Sequence, residues 1–110
     1  MADVRAMLTL LVALTAAVPA AAADPSEARQ AELMHRVLHD CGSCHGLTLK
    51  GGLGPPLLPT TLDGKSDEGL ATVILDGLPG TPMPPWAFEI AHDEAVWLVK
   101  RLKEGLDHAP

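Results

Sequence analysis

The stretch that decides the fold is Cys41-Gly42-Ser43-Cys44-His45, which reads C-x-x-C-H. This is the attachment pattern of a c-type haem. Two intervening residues let the Cys41 and Cys44 thiols add to the two vinyl groups of one macrocycle, and the adjoining histidine is placed to bind the iron. The motif uses both cysteines of the 110-residue chain. We therefore predict one covalent haem c, attached to Cys41 and Cys44 and ligated on its proximal side by His45.

Other chemistries use related cysteine patterns. A thioredoxin-type redox pair requires a βαβ context, whereas this sequence has Gly/Pro-rich loops and helical periodicity with no strand pattern. A zinc site needs further strong ligands, usually from a second Cys/His pair, and none is evident. A disulfide between exported cysteines and a chance match stay open, although the adjoining His45 favours haem.

The first 23 residues have the features of a secretory signal peptide. Residues 1–5 are short and polar, residues 6–18 form an apolar run, and Ala21-Ala22-Ala23 offers an A-x-A cleavage site. The apolar run is shorter than the ~20 residues that span a bilayer, which disfavours an uncleaved anchor without excluding it. We expect residues 1–23 to be removed on export, leaving a monohaem domain at residues 24–110 with no stable membrane anchor.

Charge and size restrict what the mature domain binds. Removing residues 1–23 takes away one acidic and one basic residue, so the formal net charge stays at −6. Such a domain lacks the basic face that nucleic acid binding requires and suits a basic partner surface. Trp86, Phe88 and Trp97 are the only aromatic residues, so the apolar core is marginal for a domain of this size. A buried haem would enlarge that core.

The first helix is predicted to start at Asp24-Pro25-Ser26-Glu27, with Asp24 as its N-cap, and to lead directly into the haem motif. Apolar residues recur along it at intervals of three and four, which predicts a buried stripe. The stripe consists of Ala31, Met34, Val37, Leu38 and Cys41, with Leu33 beside it and Arg29 and Arg36 on the solvent side.

Two further helices are predicted after a long loop. The glycines and prolines of residues 46–59 predict a loop without regular structure. Ser66 predicts the start of the second helix and Gly77 its end. The third helix is predicted to begin near His92 and to stop at Gly105. Its buried stripe is Ala95, Leu98, Val99, Leu102 and Leu106, with Trp97 beside it.

The sixth iron ligand is predicted to be Met83. It lies in Thr81-Pro82-Met83-Pro84-Pro85-Trp86, where no helix fixes its side chain and the flanking prolines restrain its backbone. A thioether ligand favours ferrous iron and raises the reduction potential. A methionine that fills a core gap, ligation by His92 or His39, and an open sixth position are the alternatives.

The proximal histidine is expected to have a fixed hydrogen-bond acceptor. A ligating histidine normally donates its second ring N–H to a carbonyl or a carboxylate. The expected acceptor is the backbone carbonyl of Pro55, in the loop at Gly54-Pro55. A simple Gly-Pro turn is the alternative.

These residues together resemble the small class I cytochromes c over nearly all of residues 24–110. The shared order is an N-terminal helix, C-x-x-C-H, a G-P-x-L loop at Gly54-Pro55-Pro56-Leu57, a helix, an M-P loop and a C-terminal helix. The resemblance implies an all-α fold in which three main helices and Gly/Pro-rich loops enclose one covalent haem. It also implies the following roles: haem attachment at Cys41 and Cys44, iron ligation by His45 and Met83, and a haem pocket that includes Gly54, Pro55, Leu57 and Trp86.

A narrower resemblance lies in two loops. Residues 44–55 and 79–86 look like the cytochrome c55X type, which is found in the gene clusters of cytochrome cd1 nitrite reductase. That family implies a monomeric periplasmic electron carrier for denitrification rather than an enzyme. Its implied partners are cytochrome cd1 nitrite reductase and an upstream electron donor, with a role in maturation of the d1 haem as the alternative.

One position departs from the class I pattern. Those cytochromes usually carry an aromatic residue on the last helix facing the first, and the corresponding residue here is Arg101. Trp97 is the residue that could replace some of the lost contact area. A haem enzyme or gas sensor with an open sixth position also stays a hypothesis, although no nucleophile–base constellation marks a conventional active site.

Overall fold

The computed structural model describes residues 12–17 and 24–106, and this part of the chain contains helices and loops but no strand. The elements are α1 (Glu27–Arg36), a π-helical turn (Val37–Cys41), α2 (Gly42–His45), α3 (Pro59–Leu62), α4 (Asp67–Asp76) and α5 (His92–Glu104). The predicted all-α fold with three main helices is therefore confirmed. Among the described residues, no helix has both the length and the apolar character to cross a membrane. Most of the predicted signal peptide, residues 1–11 and 18–23, lies outside the described residues.

Helix α1 begins later than predicted. Its N-cap is Ser26 rather than Asp24, because the Ser26 hydroxyl oxygen accepts a hydrogen bond from the Arg29 N–H at 3.3 Å. Pro25 precedes the helix and its carbonyl accepts from the Gln30 side chain at 2.8 Å. A serine hydroxyl that reaches the third helical N–H is a complete cap by itself, so the helix does not require the acidic residue upstream.

The buried face of α1 agrees in part with the predicted stripe, since Val37 is buried and Met34 and Cys41 pack against the core. Leu33 and Val37 are fully buried, whereas Ala31 is exposed and Leu38 is 37% exposed. The π-helical turn accommodates one more residue per turn than an α-helix. Its closing hydrogen bond runs from the Gly42 N–H to the Val37 carbonyl. Gly42 therefore follows Val37 on the buried side, a register that a strict 3.6-residue period does not predict.

The core lies where α5 packs against α4 and α3, and it also includes Leu33 of α1 and Val37 of the π-helical turn. Helix α5 contributes the largest share, and Trp97, predicted to lie beside its stripe, is inside the core with 7% of its surface exposed. The buried apolar residues are Leu33, Val37, Leu49, Leu62, Ala71, Ile90, Ala95, Trp97, Leu98, Val99 and Leu102. Arg101 places its guanidinium carbon 5.7 Å from the centre of the Trp97 ring, within cation–π range.

The ends of α4 and α5 agree with the prediction. The Ser66 hydroxyl caps α4 by accepting from the Gly69 N–H at 3.0 Å, and Gly77 ends the helix with φ +69°. Helix α5 begins at His92 and ends at Gly105, which has φ +88°. Positive φ is a conformation that glycine adopts at little cost.

The predicted loop after the haem motif is confirmed for residues 46–58, and the short helix α3 starts at Pro59 because the first helical position needs no N–H donor. The predicted solvent exposure of two arginines was wrong in part. Arg29 and Arg36, predicted to face solvent, are half-buried. They pair with Glu94 on α5 and Glu89 before α5, two partners that lie far along the chain.

Candidate haem site

The haem motif is carried by the junction of the π-helical turn and α2. Cys41 ends the turn, and Cys44 and His45 lie in α2. Both cysteines are half-buried free thiols rather than a disulfide. Burial, together with the adjacent Asp40 carboxylate, raises the pKa of the Cys41 thiol to about 11. Both sulfurs are therefore available to form thioethers.

His45 is held by the loop that follows it. Its Nδ1 lies 2.6 Å from the carbonyl oxygen of Pro55, so the contact expected at this histidine is present. Since a carbonyl only accepts, Nδ1 carries the proton and donates it. In a neutral imidazole this leaves the lone pair on Nε2, which is the atom available for iron.

Gly54 lies against the face of the same ring. A Cβ atom added to Gly54 would be 2.8 Å from both Cε1 and Nδ1 of His45, closer than any real side chain approaches. The Gly54 N–H also donates to the Cys44 carbonyl at 2.8 Å. The Gly54 backbone therefore packs directly against the imidazole, an approach that a residue with a side chain would not allow. The donor set and this support fit a c-type haem bound by His45.

The rest of this loop is anchored to the helix and to the core. The Gly51 N–H donates to the His45 carbonyl at 2.8 Å, which satisfies a free carbonyl at the end of α2. Leu49 is 2% exposed despite its position in a loop, with φ +59°. Its carbonyl accepts from the Leu57 N–H at 2.9 Å, and Leu57 is half-buried against the core. The anchoring role of Leu49 is not predicted from the sequence, where Leu47 in the same turn is equally apolar but 73% exposed.

The Met83 loop is attached to the C-terminal end of α4. The Trp86 N–H donates to the Ile74 carbonyl at 3.0 Å, and the Ala87 N–H donates to the Leu75 carbonyl at 3.1 Å. Met83 is half-buried in this loop. Trp86 is half-buried against the core, and its ring stacks on the exposed Phe88 with centroids 5.9 Å apart. Ligation by Met83 and a haem contact for Trp86 stay predictions.

The two alternative histidine ligands have other partners. His92 Nε2 lies 2.7 Å from a carboxylate oxygen of Glu68, between the starts of α5 and α4. His39 is exposed and its ring centroid lies 4.1 Å from that of His35. Neither residue belongs to the loops that carry Pro55 and Met83.

The comparisons with known proteins agree with this geometry. The family described as "Cytochrome C oxidase, cbb3-type, subunit III" matches residues 26–100, from the cap of α1 into α5. A curated relative, cytochrome c55X of Pseudomonas aeruginosa PAO1, is 54% identical over 101 residues that cover 89% of this chain and 85% of the relative. Cytochrome c55X of Paracoccus denitrificans Pd 1222 is 50% identical over 97 residues, covering 88% of this chain and 93% of the relative. The chain belongs to the cytochrome c55X family.

Solved structures extend this result to the fold. A structure described as c-type cytochrome NirC is 57% identical with a TM-score of 0.74, and the match covers 78% of this chain and 100% of that one. A structure described as dihydro-heme d1 dehydrogenase NirN in complex with DHE is 34% identical with a TM-score of 0.59. That match covers 70% of this chain but 16% of the dehydrogenase. As a c-type cytochrome, the protein has haem c as its covalent cofactor and belongs to electron transport.

Proposed function

We propose that the protein is a periplasmic one-electron carrier whose haem iron is ligated by His45 and Met83. The observation that carries the proposal is the 2.6 Å contact between His45 Nδ1 and the Pro55 carbonyl, which leaves Nε2 for the iron. When bound, the haem supplies a one-electron couple between ferric and ferrous iron. With both His45 and Met83 bound, the iron would have no open position for substrate, which favours a carrier over an enzyme or a gas sensor.

Met83 is supported as the sixth ligand by its surroundings. Met34, by comparison, lies on α1 and packs against the core as a gap-filling methionine does. Met83 lies outside any helix, between Pro82 and Pro84, and its backbone is fixed by hydrogen bonds. His92 is less suited to be the sixth ligand, because its Nε2 already contacts Glu68.

We place the protein in denitrification, with cytochrome cd1 nitrite reductase as its electron acceptor and an upstream donor that reduces it. The relatives named cytochrome c55X and the similarity to NirC support this assignment. After removal of residues 1–23 the protein would act as a monomer without a membrane anchor. Its net charge of −6 favours a basic docking surface and disfavours nucleic acid.

A second candidate function is electron acceptance during maturation of the d1 haem. The specific observation is the 34% identity to a stretch of the dihydro-heme d1 dehydrogenase structure. Dehydrogenation of a dihydro-haem releases two electrons and two protons. A monohaem carrier takes one electron at a time, so two molecules would be reduced for each haem oxidised.

The ligand assignment is tested by visible spectra of the oxidised and reduced haem-loaded protein. Oxidised wild type is expected to show the weak long-wavelength band of a thioether bound to ferric iron. Met83→Ala should lose that band, whereas Met34→Leu, a change in the core methionine, should keep it. A wild type without the band, or a Met83→Ala variant that retains it, contradicts the assignment.

The partner assignment is tested by stopped-flow mixing. Reduced protein is mixed with oxidised cytochrome cd1 nitrite reductase, and oxidised protein is mixed with dihydro-heme d1 dehydrogenase and its substrate. Rapid oxidation in the first reaction supports the nitrite reductase assignment. Rapid reduction in the second reaction alone supports the maturation role instead.

A further inference from the structure

The Met83 loop has an unusual shortage of backbone donors. Pro82, Pro84 and Pro85 carry no N–H, so the Met83 N–H is the only backbone donor in residues 82–85. It donates to the hydroxyl oxygen of Thr81 at 3.3 Å. That hydroxyl in turn donates to the Leu78 carbonyl at 2.7 Å. The Thr81 side chain therefore joins the start of the loop to the backbone of Met83.

The Met83 carbonyl is fixed from the other side, at the end of α4. It accepts from the Leu78 N–H at 3.2 Å. Gly77, which ends α4 with φ +69°, lies directly beneath it: an added Cβ would be 2.7 Å from the Met83 oxygen. The same Cβ would be 2.9 Å from Pro84 C and from Pro85 N. Because Gly77 has no side chain, the backbone of residues 83–85 can pack directly against it.

We infer that Thr81 and Gly77 are positioning residues that hold the Met83 thioether ready for the haem iron. The inference rests on the proposed ligation by Met83. Neither residue is placed to touch the iron; each acts on the Met83 backbone. A loop that is already ordered loses little conformational freedom when its side chain binds, so preorganisation strengthens ligation. Loosening the loop should make the thioether easier for an external ligand to displace.

The first test compares Thr81→Val with Thr81→Ser in haem-loaded ferric protein. Valine keeps the shape but removes the hydroxyl, whereas serine keeps the hydroxyl. Imidazole is titrated and its dissociation constant is read from the Soret band. Loss of one hydrogen bond of ordinary strength predicts imidazole binding about two- to tenfold tighter in Thr81→Val. Thr81→Ser should restore the affinity to within about twofold of wild type, a rescue that a merely structural role would not give.

The second test uses a matched pair of glycines. Gly64, in the turn before α4, has φ +74° and an added Cβ there meets no atom within 4 Å. Gly64→Ala and Gly77→Ala therefore introduce similar backbone strain, but only Gly77→Ala pushes against the Met83 loop. We expect Gly77→Ala to weaken or abolish the thioether band and to bind imidazole more than about tenfold tighter. Gly64→Ala should keep the wild-type band and affinity.

The outcomes separate this inference from the function on which it rests. A wild type without the thioether band overturns ligation by Met83 and the positioning role with it. A wild type with the band, combined with Thr81→Val that binds imidazole like wild type, overturns the positioning role alone. Thr81→Ser behaving like Thr81→Val also overturns it, because the hydroxyl would then not be the relevant group. The Thr81 comparison decides the inference even if Gly77→Ala yields no haem-loaded protein.

Discussion

Arg29 on α1 and Glu94 on α5 form a two-point ion pair that joins the first main helix to the last. Arg29 Nε lies 2.5 Å from Glu94 Oε2, and Nη2 lies 3.0 Å from Oε1. Nη2 also donates to the Glu89 carbonyl at 2.7 Å. Glu94 Oε1 accepts in addition from the Ala91 N–H at 2.9 Å, which caps the start of α5. The Glu94 carboxylate therefore caps the start of α5 and also binds Arg29 on α1.

We expect this pair to contribute measurably to stability. The two side chains are 25% and 18% exposed, so solvent screens them less than a surface pair. Arg29→Gln and Glu94→Gln should each lower the free energy of unfolding by about 1–2 kcal/mol. The double variant should lose less than the sum of the two, with a coupling of about 1 kcal/mol. Guanidinium chloride unfolding of the haem-loaded protein measures all three values.

The control for this cycle is Glu104→Gln. Glu104 pairs with Arg101 at 2.6 Å, but both side chains are about half exposed, at 55% and 43%. A surface pair of this kind should change the free energy of unfolding by less than about 0.5 kcal/mol. Strictly additive single variants at Arg29 and Glu94 would contradict the coupling.

The same ion pair predicts how the free energy of unfolding decreases at acidic pH. The hydrogen bond from Arg29 holds the pKa of Glu94 below its usual range. A depressed folded-state pKa gives stability that is present above the unfolded value of about 4.3 and is lost as pH falls through the folded value. Between about pH 5 and pH 3 the wild type should therefore lose more stability than Glu94→Gln does. Urea unfolding at a series of pH values measures the difference, and parallel curves for the two proteins would refute the prediction.

The sequence correctly predicts the ends of α4 and the buried stripe of α5, but it misplaces the start of α1 and part of its face. Ser66 and Gly77 were correctly placed because capping depends on a few neighbouring residues. The face of α1 was misplaced at Ala31 and Leu33, which precede the π-helical turn, whereas that turn explains the buried Gly42 that follows Val37. The half-buried position of Arg29 depends on Glu94, 65 residues away, which no local pattern reports. Long-range partners of this kind become visible only in the folded chain.

The candidate haem site likewise contains contacts that the sequence predicts and contacts that it does not. The contact between His45 and Pro55 could be expected because a motif and a nearby loop carry it within ten residues. Gly54 could be assigned to the pocket, but its contact with the His45 ring requires the three-dimensional approach of the two. The link between Gly77 and Met83 was not expected, because the sequence shows Gly77 only as a helix terminus. The motifs predict the ligands and the Pro55 acceptor, whereas packing identifies Gly54 and Gly77 beside them.

Gly54 provides a direct test of the proximal support. Gly54→Ala would place a methyl group 2.8 Å from the His45 ring and displace the imidazole. We expect a severalfold lower yield of haem-loaded protein, or a shifted reduction potential in what remains. Gly42→Ala is the matched control within the haem motif, because its Cβ would meet the Val37 oxygen at an ordinary 3.4 Å. Alanine also suits a helical position better than glycine does, so Gly42→Ala should load haem like wild type. If Gly54→Ala loads haem and has a reduction potential like wild type, the His45 ring does not depend on Gly54 for its position.

The two loops that flank the predicted axial ligands in the sequence are nearly free of charge. Between Gly46 and Leu62 only Lys50 is charged, and residues 77–88 carry no charge at all. The structure exposes large apolar side chains in both loops, with Leu47 at 73%, Leu53 at 74% and Phe88 at 74%. Apolar side chains at these positions suit contact with the haem edge, with a partner protein, or with both. We expect these loops to contact the redox partner in a small, short-lived complex, with the acidic residues elsewhere providing longer-range steering.

Leu53→Glu tests this surface with cytochrome cd1 nitrite reductase as the partner. A charge at the centre of an apolar contact should slow second-order electron transfer by about fivefold or more, the effect of losing ~1 kcal/mol of binding. The visible spectrum should stay unchanged if Leu53 contacts the partner, whereas a changed spectrum would indicate a contact with the haem. Leu53→Gln, similar in shape to the glutamate but uncharged, separates the effect of charge from that of lost apolar area. Asp63→Asn, an exposed acid outside both loops, should alter only the dependence of the rate on ionic strength. An unchanged rate in Leu53→Glu, with Asp63→Asn slowed at every salt concentration, would assign docking to the charged surface instead.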